Sequence, residues 1–217
     1  AINPFFNATA GKINGAYVFD GVNDYMDLGA ASSLNISADG TITAWIRPRS
    51  VSGTQFVFAS GDNANNIQFA LEYGRTVNKF DAIWGIGASF DILYSTANLS
   101  NETWQFLAVT RNGSGSSWTV NLYLNGALDS TQSGTNAASS FSRALIGTFK
   151  VAGGQYPSAT IDELKIYNRS LSADEIRSHY QQAYEALRAP ETTKHQNYSV
   201  AITLGNDYAL NDTLTSN

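Results

Sequence analysis

The chain has 217 residues, of which 43% are hydrophobic and only 14% are charged, against about 25% charged in an average protein. A net charge of −5 and 13 scattered Lys and Arg residues argue against nucleic-acid binding, which needs clustered basic residues. The lack of cysteine excludes disulfides, thiol catalysis and cysteine-ligated zinc.

The first 14 residues, with Pro4 and Gly11, are predicted to form an irregular N-terminal extension. From Tyr17 onward, short runs of apolar residues alternate with turns rich in Gly, Asn, Ser and Asp, which predicts strands. Eleven runs have this character: 17–19, 25–28, 41–47, 55–60, 67–73, 80–86, 90–95, 104–111, 118–125, 141–147 and 159–167. Many short strands at such spacing favour an all-β antiparallel sandwich or barrel. Asn125-Gly126 is typical of a two-residue hairpin turn.

One helix is predicted near the C-terminus. Ser172 and Glu175 have the spacing of a capping box, and the apolar residues from Ile176 to Leu187 recur on one helical face. Pro190 follows the expected end of the helix. The helix is expected to pack against the edge of the domain.

The globular domain is therefore expected to span residues 15–188, followed by a polar tail at 189–217. Within the tail, residues 198–204 resemble a strand. This strand is expected to pair either with its own domain or with a neighbouring chain by strand addition.

The chain contains eight Asn-X-Ser/Thr sequons, whereas about four are expected by chance at this composition. They lie at Asn7, Asn35, Asn98, Asn101, Asn112, Asn168, Asn197 and Asn211. The excess indicates either a glycosylated surface protein or loops that are simply rich in Asn and Ser. The chain also starts at Ala1 rather than Met, so we expect that a signal or upstream segment was removed.

Five segments carry a resemblance to a known family. In chain order they are 17–28 (YVFDGVNDYMDL), 41–48 (TITAWIRP), 104–110 (WQFLAVT), 122–126 (LYLNG) and 161–176 (IDELKIYNRSLSADEI). Together they resemble the laminin-G-like, concanavalin-A-like jelly-roll domains of lectins and glucanases. The resemblance implies two facing antiparallel sheets, one of them concave, with ligands bound on that face or on the rim loops. The expected fold class is an all-β sandwich with one short C-terminal helix and an extended tail.

The resemblance also implies a structural Ca²⁺. Calcium prefers six to eight oxygen ligands, and the turn after the first predicted strand offers Asp20, Asn23 and Asp24. In the family, the strand carrying Asp162 and Glu163 lies beside this turn and would complete the shell. Neighbouring residues of a regular strand point to opposite faces, so Asp162 is the favoured ligand unless a bulge is present. The alternative is a turn aspartate that hydrogen-bonds its own backbone.

Aromatic and polar side chains in the variable strands are candidates for a glycan-contacting face. Trp45 and Trp104 match core positions of the resembling family, and Trp118 opens a strand with apolar alternation, so all three are predicted to be buried. Trp84 lies in the most variable part of the family pattern. The candidate ligand-contacting residues are Trp84, Tyr94, Asp91, Tyr73, Arg75 and Tyr156. Each has a plainer alternative as a core or ordinary surface residue.

The sequence offers no recognisable catalytic group. Glycanases of this fold carry carboxylates alternating along one strand, which places a retaining pair about 5 Å apart. Here Asp81 and Asp91 have no acidic partner two positions away, and the histidines, His179 and His195, fall in the helix and the tail. We therefore expect a protein that is not an enzyme.

Three functions fit these observations. The first is a non-catalytic, carbohydrate-binding or adhesive module that is secreted or lies at the cell surface and binds a glycan or a surface protein. The second is a structural subunit of an extracellular filament or surface layer, in which residues 2–6 or 198–204 pair with another copy. The third is an accessory domain of a glycoside hydrolase. No membrane span of about 18 apolar residues is present in the sequence.

Overall fold

The structure is a computed structural model, and it describes residues 4–30, 34–36, 38–62, 66–86, 89–114, 117–134, 141–150 and 154–188. The described residues form thirteen strands and one helix. The strands are β1 (Phe5–Asn7), β2 (Ala16–Asp20), β3 (Met26–Gly29), β4 (Gly40–Pro48), β5 (Gln55–Gly61), β6 (Ile67–Tyr73), β7 (Phe80–Ile86), β8 (Ser89–Tyr94), β9 (Gln105–Ser114), β10 (Ser117–Leu124), β11 (Ala127–Gly134), β12 (Arg143–Ile146) and β13 (Ser158–Tyr167). The helix is α1 (Ala173–Arg188).

The strands form two antiparallel sheets. One has seven strands in the order β1-β2-β13-β4-β9-β10-β11, and the other has six in the order β3-β12-β5-β6-β7-β8. Strands β2 and β13, near the two ends of the described chain, are direct neighbours. The predicted all-β sandwich of the jelly-roll type, with one helix after the last strand, is confirmed.

The space between the sheets is filled by alternate side chains of the strands. In β6, Phe69, Leu71 and Tyr73 are fully buried in this main core, because every second side chain of a strand points to the same face. Trp84 of β7 meets Trp118 of β10 edge to face, with ring centroids 4.5 Å apart. The core therefore joins the two sheets through large aromatic and aliphatic side chains.

Helix α1 covers the outer face of the seven-stranded sheet. Ile176 is fully buried there, in a second cluster that includes Trp45 and Phe106. The predicted capping box is present: the backbone N–H of Ser172 donates to Glu175 Oε2 at 2.8 Å, and the N–H of Glu175 donates to Ser172 Oγ at 3.3 Å. These bonds satisfy backbone donors at the start of the helix that have no intrahelical partner.

The predicted N-terminal extension contributes to the sandwich. β1 pairs with β2 of the same chain, with Phe5 opposite Val18 and Asn7 opposite Ala16. Ile13 packs against the cluster under α1. Of the predicted segment 2–6, only residues from Pro4 onward are described, and the predicted tail, 189–217, lies outside the described residues.

Candidate functional site

A row of polar residues crosses the outer face of the six-stranded sheet. Glu72 of β6 lies directly opposite Asp81 of β7, and Asp81 lies opposite Tyr94 of β8. Leu71 and Phe80, their neighbours in sequence, point into the main core, so the row faces away from it. Directly opposed residues of antiparallel strands have Cβ atoms about 4.5–5.5 Å apart. The register therefore brings two carboxylates and a phenol together.

Arg75, in the turn after β6, ties this row together. Its Nε donates to Glu72 Oε1 and its Nη2 donates to Glu72 Oε2 at 3.2 Å. Its Nε lies 3.9 Å from Asp81 Oδ1. Tyr94 is near enough that its interaction with the guanidinium contributes to raising the pKa of Arg75. Burial alone would lower the pKa of the guanidinium, but the bond to Glu72 and the nearby acidic groups raise it. We call Glu72, Arg75, Asp81 and Tyr94 the Arg75 cluster.

The two carboxylates of the cluster are fully buried, whereas its arginine and tyrosine reach solvent. The side chains of Glu72 and Asp81 are 0% exposed and that of Arg75 is 29% exposed; Tyr94 is 39% exposed. Both oxygens of Asp81 lack a hydrogen-bond partner among the described residues. Burial, followed by the neighbouring Glu72, raises the pKa of Asp81. Protonation of Asp81 removes one of two like charges at close range and supplies a hydrogen-bond donor beside Glu72.

An apolar border lies beside the cluster. Phe56 of β5 stands opposite Glu72 and packs on Phe149, with ring centroids 4.9 Å apart. Lys150 Nζ lies 5.1 Å from the Phe149 ring centroid. The outer face thus combines a fixed cation, an exposed phenol and aromatic rings.

Two of the predicted ligand-contacting residues are corrected. Trp84 and Tyr73 are 0% exposed and belong to the main core, so neither ring is available to a ligand at the surface. Alternation explains the error, because both residues occupy inward-facing positions of their strands. The Tyr73 hydroxyl donates to Gln55 Oε1 at 3.0 Å inside the core. The predictions that Trp45 and Trp118 are buried are confirmed, whereas Trp104, predicted to be buried as well, is half-buried.

The structure brings two of the other candidates together and separates the rest. Arg75 and Tyr94 both belong to the Arg75 cluster. Asp91 lies opposite Trp84 on β8 and is half-buried, so its position alternates with that of Tyr94 and faces the other way. Tyr156 is half-buried before β13, with its ring centroid 6.3 Å from that of Tyr25.

The acidic turn after β2 is stabilised by its own backbone. Asp20 Oδ1 accepts from the N–H of Val22 at 2.8 Å and of Asn23 at 3.4 Å. Asp24 Oδ2 accepts from the N–H of Asp20 at 2.9 Å, and Asp24 is buried. This is the alternative arrangement that the sequence left open.

The second predicted acidic segment contains a bulge. The pairing of β13 with β4 shifts between Asp162 and Lys165, and Glu163 has a φ of +48°. Asp162 Oδ2 accepts from the N–H of Ile13, and its Oδ1 accepts from the N–H of Glu163, both at 2.8 Å. Glu163 Oε2 lies 2.8 Å from Lys165 Nζ.

The five predicted calcium ligands do not form one shell. Asp20 pairs with Ser158, and Ile161 pairs with Tyr17, so Asp162 lies four residues further along β13. At about 3.3 Å per residue, this is a separation of roughly 13 Å along the strand. Among the described residues, no three His, Cys, Asp or Glu side chains lie close enough together to hold a metal ion. Calcium binding stays a prediction.

The predicted glycosylation sites lie mostly at the surface. Asn35, Asn98, Asn101, Asn112 and Asn168 are exposed and Asn7 is half-buried, whereas Asn197 and Asn211 lie outside the described residues. Accessibility is necessary for modification, and glycosylation itself stays a prediction.

The family of the chain follows from a sequence comparison. A family model described as the concanavalin A-like lectin/glucanases superfamily matches residues 20–177. The chain belongs to this superfamily. The resemblance given above is thereby confirmed, and the match spans the sandwich from the end of β2 into α1. Comparison with curated protein sequences finds no significant match.

Solved structures of this fold include proteins of several kinds. The SAP-like pentraxin of Limulus polyphemus is 15% identical, with a TM-score of 0.58 over 75% of this chain and 80% of its own. CBM40 of the Ruminococcus gnavus IT-sialidase, bound to α2,3-sialyllactose, is 17% identical, with a TM-score of 0.61 over 76% and 97%. The binding domain of botulinum neurotoxin serotype G is 15% identical, with a TM-score of 0.62 over 83% and 45%. At such identities the likeness establishes a shared fold.

Glu72 and Asp81 are the residues of the Arg75 cluster that were not among the candidates predicted from the sequence. Paired carboxylates were expected two positions apart on one strand, whereas this pair spans two strands. A usable signal was present: Glu72 and Asp81 each lie one residue inside a strand end, between apolar neighbours. Aligning the ends of β6 and β7 as a hairpin places them opposite each other.

Proposed function

We propose that this domain is a non-catalytic carbohydrate-binding module of a secreted or cell-surface protein. Its glycan site is the outer face of the six-stranded sheet around the Arg75 cluster. The observation that carries the proposal is the pairing of a partly exposed arginine, held by two buried carboxylates, with an exposed tyrosine. The bound sialyllactose in CBM40, a protein of the same fold, supports glycan as the ligand class.

The chemistry of the cluster suits a sugar. A guanidinium has five N–H donors, and Glu72 engages the Nε and Nη2 of Arg75. This leaves donors for hydroxyls or for a sugar carboxylate. The ring of Tyr94 offers a flat apolar surface beside a polar hydroxyl. Because Glu72 fixes Arg75 before a ligand arrives, less side-chain entropy is lost on binding.

The same burial that holds the arginine argues against catalysis by the carboxylate pair. A glycosidase needs both carboxyl groups in contact with the scissile bond or its attacking water. Glu72 and Asp81 have fully covered side chains, so they act on Arg75 and do not reach a substrate. The expected result is no hydrolysis of aryl glycosides or oligosaccharides above a buffer blank.

A glycan array followed by calorimetry tests the proposal. We expect millimolar or tighter binding to a subset of glycans. Tyr94→Ala and Arg75→Lys should each weaken it about ten-fold, because each removes one good polar or aromatic contact. Arg47→Ala is the matched control: Arg47 is exposed and paired with Glu102, on the other sheet. No glycan binding at millimolar concentration, or equal loss in all three variants, contradicts the proposal.

A structural calcium ion is a separate part of the proposal, restricted to the turn of Asp20, Asn23 and Asp24. Support comes from the three oxygen-bearing side chains in one turn and from the buried position of Asp24. Thermal melts in Ca²⁺ and in chelator test it: a bound ion raises Tm, and Asp20→Asn removes that rise while keeping an oxygen for the Val22 N–H. Identical melts with and without Ca²⁺ exclude the ion.

Self-assembly is a second candidate function, favoured by one observation. Edge strand β1 carries Phe5 and Phe6 at 67% and 52% exposure, and exposed apolar edges invite pairing with another chain. Light scattering across a concentration series tests this candidate, with Phe5→Ser as the variant that should lower any association. A monomer at all concentrations excludes it.

No helix among the described residues is long and apolar enough to cross a membrane.

A further inference from the structure

A small cavity lies between α1 and the outer face of the seven-stranded sheet, on the opposite side of the sandwich from the Arg75 cluster. Its volume is about 110 Å³. A water molecule occupies about 30 Å³ of liquid, so the cavity holds three or four waters or a ligand group of similar size. It is partly open to solvent along the helix, where Gln182 forms part of its wall.

Two polar atoms at this cavity lack a partner. Thr43 is fully buried and its Oγ1 has no hydrogen-bond partner among the described residues; the same holds for the Nδ1 of His179. Both residues line the cavity. The imidazole is fixed by its other nitrogen, because Nε2 lies 3.1 Å from the hydroxyl of Tyr167. Native proteins rarely leave buried polar atoms unpaired, so both atoms point to an occupant.

The lining is electrically neutral. Glu163 and Lys165, the acidic and basic residues that line the cavity, neutralise each other at 2.8 Å. Burial, with Lys165 next in importance, lowers the pKa of His179, so its ring is uncharged near pH 7. A neutral cavity favours a neutral ligand group, since a charged one would lose its hydration without gaining a partner.

One wall of the cavity is apolar and rigid. Trp45 and Phe106 lie with their ring centroids 5.4 Å apart, and Ile13 completes this wall. Ile13 is held in place because its N–H donates to Asp162 Oδ2. The bulge in β13 turns Glu163 to the same cavity at a φ of +48°. Strained backbone of this kind is often found at functional sites.

We propose that this cavity binds the acetamido group of an N-acetylated ligand. The methyl group packs on Trp45 and Phe106. The carbonyl oxygen accepts from the Thr43 hydroxyl, and the N–H donates to the unprotonated Nδ1 of His179. The amide satisfies both unpaired atoms and also places its methyl group on the apolar wall. A hydroxyl or a water molecule can pair with both atoms but has no methyl group for that wall. An N-acetyl sugar and an N-acetyllysine side chain both carry this group.

NMR titration of the whole chain tests the proposal with N-acetylglucosamine, N-acetyllysine and glucose, each to 50 mM. We expect saturable shifts of the His179 imidazole with at least one acetylated compound and none with glucose. The compound that binds identifies the source of the acetamido group. Thr43→Val should weaken binding at least ten-fold and raise the Tm of the free protein, because it replaces a buried unpaired hydroxyl with a methyl group of equal size.

Arg143→Ala, on β12 of the six-stranded sheet and paired there with Asp27, is the control and should bind as the wild type does. Gln182→Ala, at the open side, should weaken binding several-fold and provides a second test should Thr43→Val fold poorly. The proposal is overturned if neither acetylated compound shifts His179, if glucose shifts it equally, or if both variants bind with unchanged affinity. A cavity occupied by water alone gives the first of these results.

Discussion

The outer faces of the two sheets differ in what covers them. α1 lies on the seven-stranded sheet and buries an apolar cluster that includes Trp45, Phe106 and Ile176. The six-stranded sheet has no helix among the described residues, yet Glu72 and Asp81 are fully buried on its outer face. Burying charged groups rarely stabilises a protein more than apolar residues would. Stability therefore explains the first face, and the second is the face on which we propose the glycan site.

The largest expected effect is on the apolar face. Ile176→Ala should lower the free energy of unfolding by about 3 kcal/mol, because Ile176 is fully buried against the sheet. For a domain of this size, Tm should fall by about 6–12 °C, measured by calorimetry. Arg177→Ala, exposed on the same helix, should change Tm little. Equal effects of the two variants would mean that α1 contributes no specific packing.

The free energy of unfolding should depend on pH through Asp81, on the outer face of the six-stranded sheet. Burial and Glu72 raise the pKa of Asp81, so the folded state holds a proton that the unfolded state releases above about pH 4. The stability that Asp81 contributes is present below this pH and declines as pH rises through the pKa of the folded state. The decline is at most about 1.4 kcal/mol per pH unit.

Asp81→Asn, which is neutral at every pH, should flatten this dependence. We expect the variant to match the wild type near pH 4 and to become steadily more stable than the wild type as pH rises to 8, as measured by urea denaturation between these values. Asp174→Asn, on the exposed first turn of α1, is the control for a simple change in net charge. Parallel pH profiles for Asp81→Asn and the wild type would contradict a raised pKa of Asp81.

The start of α1 offers a smaller test of how the apolar face is held. Ser172→Ala removes the hydroxyl that accepts from the Glu175 N–H and should cost about 1 kcal/mol. Glu175→Gln should cost less, because its amide oxygen can still accept from the Ser172 N–H while its ion pair with Arg169 is lost. Thermal melts of both variants should preserve this order. The reverse order would mean that the Arg169–Glu175 ion pair stabilises the start of the helix more than the Ser172 hydroxyl does.

Much of the fold was predictable because it rests on local patterns. The strand runs, the capping box of Ser172 and Glu175, and the hairpin at Asn125-Gly126 depend on residues close in sequence. In the structure Asn125 and Gly126 both have positive φ, at +51° and +80°, as this turn requires. Strands β1 and β11 were missed. The Phe5–Asn7 strand is too short to show a period, and Ala127–Gly134 carries a single large apolar residue, Leu128.

The candidate site was less predictable because it depends on the register between strands and on which face of the sheet each side chain occupies. Arg75 and Tyr94 were found, but Trp84 was assigned to the surface although alternation with Asp81 and Ile83 places it in the core. The Glu72–Asp81 pair exists only once β6 and β7 are aligned. A bulge such as that at Glu163 has no reliable signal in a single sequence, so its orientation came from the structure alone.

The smallest expected effect concerns an ion pair that lacks the burial of the Arg75 cluster. Arg47 Nη2 lies 3.1 Å from Glu102 Oε2, with side chains 45% and 56% exposed. Water and salt screen such a pair, so Arg47→Ala should cost no more than about 0.5 kcal/mol, and 1 M NaCl should abolish even this difference. The pH dependence due to Asp81 should persist in the same salt, because buried charges are poorly screened. If 1 M NaCl abolished both effects equally, the Asp81 carboxylate would have to be open to solvent, and the contrast between the two faces would disappear.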